Sequence, residues 1–292
     1  MKRFLFSTAI LLAALLTSSN CNAASRVVTD TIFSRVLNAK RVCTIVLPSG
    51  FDDNTSRRYP VLYLLHGMWE NNKVWADNGR AAAVLDRLTA SGEACPMVLV
   101  TPDAGGGDPE VFQNGYFDMK DWRYETFFFT EFLPYIEKKY RIIGDKQHRA
   151  VAGLSMGGGG ATHYAQTHTD MFKAAYAMSA LMDIPKEGDA RFKNPDGKLA
   201  RLTRSVIEKS CVDYVTKANE TRKNSLRTVS WFVDCGDDDF LLDRNIEFFK
   251  AMRTAGIPCQ FRVRDGGHDW EYWHSALYTC LGFVSRNFNS KL

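Results

Sequence analysis

Arg149-Ala-Val-Ala-Gly-Leu-Ser155-Met-Gly-Gly-Gly-Gly160 is the stretch on which the fold turns. Ala150-Val-Ala152 is a short apolar run suited to a strand buried on both faces. Gly153-Leu-Ser155-Met-Gly157 matches G-x-S-x-G, and a helix-compatible segment runs from Gly157 to Thr167. Strand, tight turn and helix in that order present a serine hydroxyl at the end of a sheet. Glycines flank the serine because its backbone is strained and neighbouring side chains would clash. Ser155 then stands at a helix N-terminus, whose dipole favours developing negative charge. The run Gly157–Gly160 lacks the lysine of a phosphate-binding loop, so it is read as room for close helix–sheet packing.

Short apolar runs recur on either side. Val61-Leu-Tyr-Leu-Leu65, Met97-Val-Leu-Val100, Phe172–Met178, Val229–Val233 and Cys259–Arg264 read as strands. Helical patterns alternate with them near Gly79–Ser91, Glu125–Tyr140, Arg244–Ala255 and Trp270–Phe288, with Pro134 expected to bend or restart the second. Residues 26–51 read as extended pieces. Strands alternating with helices predict an α/β fold, a mostly parallel central sheet with helices on both faces. The polar stretch Leu181–Arg227 breaks this rhythm and is read as an insertion over one face, a candidate lid or substrate wall.

A serine hydroxyl needs a base to take its proton. Of the six histidines, His268 is the best placed. It follows Gly266-Gly267 after the last strand, in a loop at the carboxyl edge of the sheet, where open α/β sheets place ligands. His66, at a strand end, is read as a hydrogen-bonded brace. A third residue should orient His268 and stabilise its cation. Gly236-Asp-Asp-Asp239 follows a strand between serine and histidine. Asp239 is favoured there, then Asp238 and Asp237. The order serine, aspartate, histidine is that of an α/β-hydrolase. Two backbone N–H groups should receive the developing oxyanion. They are assigned to Met156, directly after the nucleophile, and to Met68 in the loop after Val61–Leu65. Trp69 and Trp270 are the aromatic candidates for substrate contact.

At the N-terminus, Lys2 and Arg3 precede an apolar run from Phe4 to Leu16, too short to span a bilayer, and then Cys21-Asn-Ala-Ala24. Residues 1–23 therefore read as a signal peptide, and 24–292 as one exported domain, periplasmic or secreted. Lipidation at Cys21 is the rival; Asn20 departs from the small residue expected before such a cysteine. No later stretch is apolar and long enough for a transmembrane span.

The chain has 292 residues, 45% hydrophobic and 24% charged, with a net charge of +4. Such a chain buries enough apolar surface to fold, which excludes disorder as the dominant state. The balanced charge, without a basic block, excludes a nucleic-acid partner. Cys43, Cys95, Cys211, Cys235, Cys259 and Cys280 form no C-x-x-C pair, so zinc and redox readings are weak. They are read as small buried hydrophobes or as one or two bridges.

Four motifs together resemble a known family: Tyr59-Pro-Val-Leu-Tyr-Leu-Leu-His-Gly67, Ala152-Gly-Leu-Ser-Met-Gly-Gly158, Cys235-Gly-Asp-Asp-Asp-Phe240 and Gly266-Gly-His-Asp-Trp270. They look like the esterase family that holds the feruloyl and acetyl-xylan esterases of carbohydrate esterase family 1. Tributyrin-type esterases, S-formylglutathione hydrolases and the antigen 85 mycolyltransferases belong to it too. The resemblance runs from about Val27 to Phe288 and implies an α/β-hydrolase fold. The family's nucleophile falls on Ser155, its histidine on His268, its acid on Asp239 and its second oxyanion donor on Met68. It implies a serine carboxylesterase that needs no metal or organic cofactor. The expected substrate is a small-molecule or oligosaccharide ester, feruloyl or acetyl esters of plant polysaccharide first. An acyltransferase of the antigen 85 type and a non-catalytic carbohydrate-binding homologue are the alternatives. Leu181–Arg227 matches no subfamily, so it does not carry the substrate over.

Overall fold

The computed structural model describes residues 24–105, 115–184 and 196–288. The signal-peptide reading of residues 1–23, and Cys21 with it, lies outside the described residues. So does the part of the Leu181–Arg227 stretch at 185–195.

In chain order the elements are β1 (Arg26–Ser34), β2 (Ala39–Leu47), β3 (Val61–Leu65), α1 (Val74–Asp77), α2 (Ala81–Ser91) and β4 (Val98–Pro102). A two-residue ribbon, β5 (Asp118–Met119) and β6 (Trp122–Arg123), leads into α3 (Tyr124–Phe127), a π-helical turn (Phe128–Phe132) and α4 (Leu133–Lys139). Then come β7 (Arg149–Leu154), α5 (Met156–Thr167), β8 (Ala174–Met178), α6 (Lys198–Glu208), α7 (Cys211–Thr216) and α8 (Glu220–Leu226). The chain closes with β9 (Ser230–Gly236), α9 (Leu242–Thr254), β10 (Cys259–Arg264) and α10 (Trp270–Asn287).

Eight strands form one sheet in the order β1-β2-β4-β3-β7-β8-β9-β10. β1 and β2 pair antiparallel, as do β2 and β4; every later pairing is parallel. β3 shows why the run is apolar throughout. Leu62 and Leu64 enter the core beneath α2 and α10, while Val61, Tyr63 and Leu65 enter the opposite core, beneath the π turn, α4, α5, α7 and α9. A strand covered on both faces has no polar side to show.

The chain leaves β3 for β4 on one side of it, and β7 lies on its other side. Strand order reverses at this point, which opens a crevice at the carboxyl ends of β3 and β7. His66-Gly67 and Ser155 sit at those two ends. The segment around Pro134 runs through the π turn Phe128–Phe132 into α4, where Pro134 falls in the first turn. The wide turn absorbs a ring that leaves no N–H for the preceding carbonyl.

The Leu181–Arg227 stretch divides. α7 packs on α5 and α9, so with α8 it fills the place of the β8-to-β9 crossover helix. α6 lies farther out, toward the β5–β6 ribbon. All six cysteines described are free, and Cys43, Cys211, Cys235 and Cys280 are buried. They behave as small hydrophobes; burial pushes the Cys43 thiol up to about 12.

Candidate active site

Ser155 stands between β7 and α5 with φ +53° and ψ −120°, a backbone conformation that a residue with a side chain rarely adopts. The surroundings hold it there. Its N–H donates to Met178 O (2.9 Å), and its carbonyl accepts from the amides of Gly159 (3.1 Å) and Leu181 (2.8 Å). A Cβ on Gly157 would lie 2.5 Å from the carbonyl oxygens of Leu65 and His66, and one on Gly153 would lie 2.3 Å from Gly157 O. Only glycine permits this close packing of turn, helix and neighbouring strand.

Nε2 of His268 is 3.0 Å from Oγ of Ser155. Nδ1 of the same ring is 2.9 and 3.0 Å from the two carboxylate oxygens of Asp239. With Nδ1–H donating to Asp239, Nε2 carries the lone pair that faces the serine hydroxyl. Asp269 caps α10 by accepting from the Tyr272 amide (2.9 Å), so His268 is delivered from just before a capped helix end.

Asp239 is the member of the 237–239 run that reaches His268. Asp237 instead accepts from the Gly266 amide (3.1 Å) and stiffens the histidine loop, as does the Asp238 amide by donating to Gly266 O (3.1 Å). The Asp239 side chain is completely buried. Burial raises its pKa, but hydrogen bonds from His268, the Ser179 hydroxyl and the Leu241 amide outweigh burial and hold it below the usual carboxylate range. Ser179 also accepts from the Trp273 indole (3.0 Å).

Met156 opens α5, so its N–H is among the unpaired donors of a helix N-terminus. Met68 lies across the crevice in the loop after β3. Among the described residues neither amide has a hydrogen-bond acceptor. His66 is fully buried and neutral: Nδ1–H donates to Gly67 O (2.8 Å), and Nε2 accepts from the Ala104 amide (3.0 Å). Burial lowers its pKa. In a trans peptide the N–H points opposite to the C=O. Holding Gly67 O toward His66 therefore turns the Met68 N–H the other way.

Ser155 and His268 open onto a cleft of about 440 Å³, the size of a small-ligand site. Met68, Trp69, Leu181, Leu199, Phe240 and Trp273 line it, so the walls are mainly apolar. Trp69 is 64% exposed at φ +63°, and Phe240 is 76% exposed with its ring 4.5 Å from that of His268. Leu199 comes from α6, which brings the Leu181–Arg227 stretch to the cleft wall. Trp270 is placed differently from the reading of it as a substrate residue. It lies outside the cleft lining, with its indole donating to Glu70 (2.7 Å) and packing against Trp75 and Trp273. Phe240 was missed, although an aromatic directly after an aspartate run at a strand end is a visible signal. Ser179 and Leu199 had none, whereas Trp273 stands close to the His268 motif in the sequence.

Residues 34–284 match the family described as "Putative esterase". The chain belongs to this esterase family. A solved structure of a ferulic acid esterase is 68% identical and superposes with a TM-score of 0.88, covering 91% of this chain and 99% of its own. A protein of Xylanibacter ruminicola, "Endo-1,4-beta-xylanase/feruloyl esterase", is 26% identical over 253 residues, 85% of this chain. The esterase chain spans only 30% of that relative's length. An acetyl esterase of Caldicellulosiruptor saccharolyticus is 24% identical over 272 residues, 87% of this chain and 96% of its own. The esterase is a carboxylic ester hydrolase with the α/β-hydrolase fold. No helix among its described residues is long and apolar enough to cross a membrane.

Proposed function

We propose that this esterase is an exported serine carboxylesterase that removes feruloyl groups, and acetyl groups as a second class, from plant polysaccharide or its oligosaccharides. The observation that carries it is the unbroken hydrogen-bond chain from Ser155 through His268 to Asp239 at the mouth of a cleft edged by exposed aromatics. The likeness to a ferulic acid esterase at 68% identity supports the acyl group.

In the proposed reaction His268 Nε2 takes the Ser155 proton as Oγ attacks the ester carbonyl carbon. The carbonyl oxygen becomes an oxyanion and accepts from the Met68 and Met156 amides. Collapse breaks the bond to the alcohol oxygen, which leaves with the proton from His268. Water then attacks the acyl carbon as His268 takes its proton; collapse breaks the bond to Ser155 Oγ, which receives that proton from His268, and the acid leaves. Asp239 keeps Nδ1 protonated and stabilises the imidazolium. Trp69 and Phe240, both exposed on the cleft lining, offer flat faces to an aryl acyl group. Leu181 and Leu199 close the wall beside Ser155. Residues 1–23 direct export, with a lipid anchor at Cys21 as the alternative.

The test is chromatography of products from feruloylated arabinoxylan oligosaccharides and acetylated xylan, with and without a sugar alcohol acceptor. Free ferulate without a transfer product supports the reading. Ester transferred to the acceptor in preference to water moves the assignment to an acyltransferase. Glycan binding without release moves it to a non-catalytic role.

A further inference from the structure

The loop after β3 and the start of α10 are joined by one carboxylate. Glu70 Oε2 accepts from the Gly67 amide (2.7 Å), and Glu70 Oε1 accepts from the Trp270 indole (2.7 Å). Gly67 is the residue before Met68, and Trp270 is two residues after His268. A Cβ on Gly67 would lie 2.9 Å from Glu70 Oε2, so glycine lets the carboxylate come this close. The indole that completes the link is fixed in turn, edge-on to Trp75 (5.2 Å) and Trp273 (5.4 Å). The ring of Trp273 stands edge-on to that of His268 (4.9 Å). A carboxylate that accepts two N–H bonds makes charge-assisted bonds, about twice as strong as neutral ones.

We propose that Glu70 is a positioning residue: it clamps the loop that carries the Met68 amide to the segment that carries His268, fixing the oxyanion donor against the base. This rests on the serine mechanism proposed above. In that mechanism the two groups act on one tetrahedral carbon, so their separation sets how well the transition state is held. A displacement of about 1 Å in such a group costs about a hundredfold in rate. The ground-state ester makes little use of either, so the effect belongs in kcat.

The experiment compares Glu70→Gln and Trp270→Phe with the parent protein on methyl ferulate. Glutamine has one acceptor oxygen, so its amide meets one of the two donors with a second donor. Phenylalanine keeps the ring packing and removes only the N–H. The expected result is a kcat lowered about 10- to 100-fold in Glu70→Gln, and less in Trp270→Phe, with KM within about twofold. The double variant should be no worse than Glu70→Gln, because both break one link. Affinity for a boronic acid that forms a tetrahedral serine adduct should fall in parallel with kcat. Unchanged kcat with a lower melting temperature would reduce the link to a structural one and overturn the proposal. A raised KM with unchanged kcat would overturn it too, making Glu70 a substrate contact. Ser155→Ala, run alongside, separates two failures. If it stays active, the serine mechanism falls and the clamp with it. If it is inactive while Glu70→Gln is unimpaired, only the clamp falls.

Discussion

Both carboxylate oxygens of Asp239 lie within hydrogen-bond reach of Nδ1 of His268, at 2.9 and 3.0 Å. The carboxylate thereby selects the tautomer that leaves Nε2 free for Ser155. Asp239→Asn keeps the shape but offers His268 a different partner. The expected loss in kcat is about ten-thousandfold. Asp237→Asn and Asp238→Asn should stay within about tenfold, since those residues brace a loop. Steady-state kinetics of the three variants checks the order.

Asp239 and Glu70 should shift stability with pH in opposite senses. Asp239 is held below its ordinary range, so its contribution is complete above about pH 4 and is lost as pH falls through the lower folded value. The stability gap between the parent protein and Asp239→Asn should therefore narrow on acidification. Burial raises the Glu70 pKa, against the opposing bonds from the Gly67 amide and the Trp270 indole. Its effect runs the other way: stability declines as pH rises from about 4 through the raised value. Glu70→Gln should remove that decline. Urea unfolding at a series of pH values measures both.

Phe240 is three-quarters exposed, so removing its ring leaves no hole in the core. Phe240→Ala should raise KM for a feruloyl oligosaccharide about 3- to 10-fold, the worth of one aromatic contact. The KM for a small acetate ester should move less. Trp69→Ala should act in the same direction. Equal KM values for parent and variants on the aryl substrate would remove these rings from the binding cleft.

Asp234 is a fully buried charge behind the site. It accepts from the hydroxyls of Tyr176 and Tyr272 (2.5 Å each) and pairs with Arg262. Asp234→Ala removes the acceptor of three residues, Tyr176, Tyr272 and Arg262, and should cost about 3 kcal/mol. The check is the urea midpoint at unchanged m-value.

The parts of this architecture that were legible from sequence were the local ones. β3 and β7 announce themselves because a strand covered on both faces must be apolar throughout. Ser155 is marked by its flanking glycines, which the packing of Gly153 on Gly157 and of Gly157 on β3 makes necessary. Asp239 could only be ranked among three neighbours, because the choice depends on how β9 ends relative to the histidine loop. Side chains that reach the cleft from distant elements carry no local mark. Leu199 arrives from α6. Ser179 meets Asp239 only because β8 and β9 are neighbours. The place of Trp270 is set at the same range: its polar edge is satisfied by Glu70, 200 residues away in the chain. The cysteines left two readings open, since connectivity depends on distances that spacing does not contain.

The most direct test is p-nitrophenyl acetate hydrolysis by residues 24–292 and by Ser155→Ala, with the variant's fold verified by its melting temperature. The kcat of Ser155→Ala should be at least about a thousandfold lower. Equal rates in the two proteins would contradict Ser155 as the nucleophile.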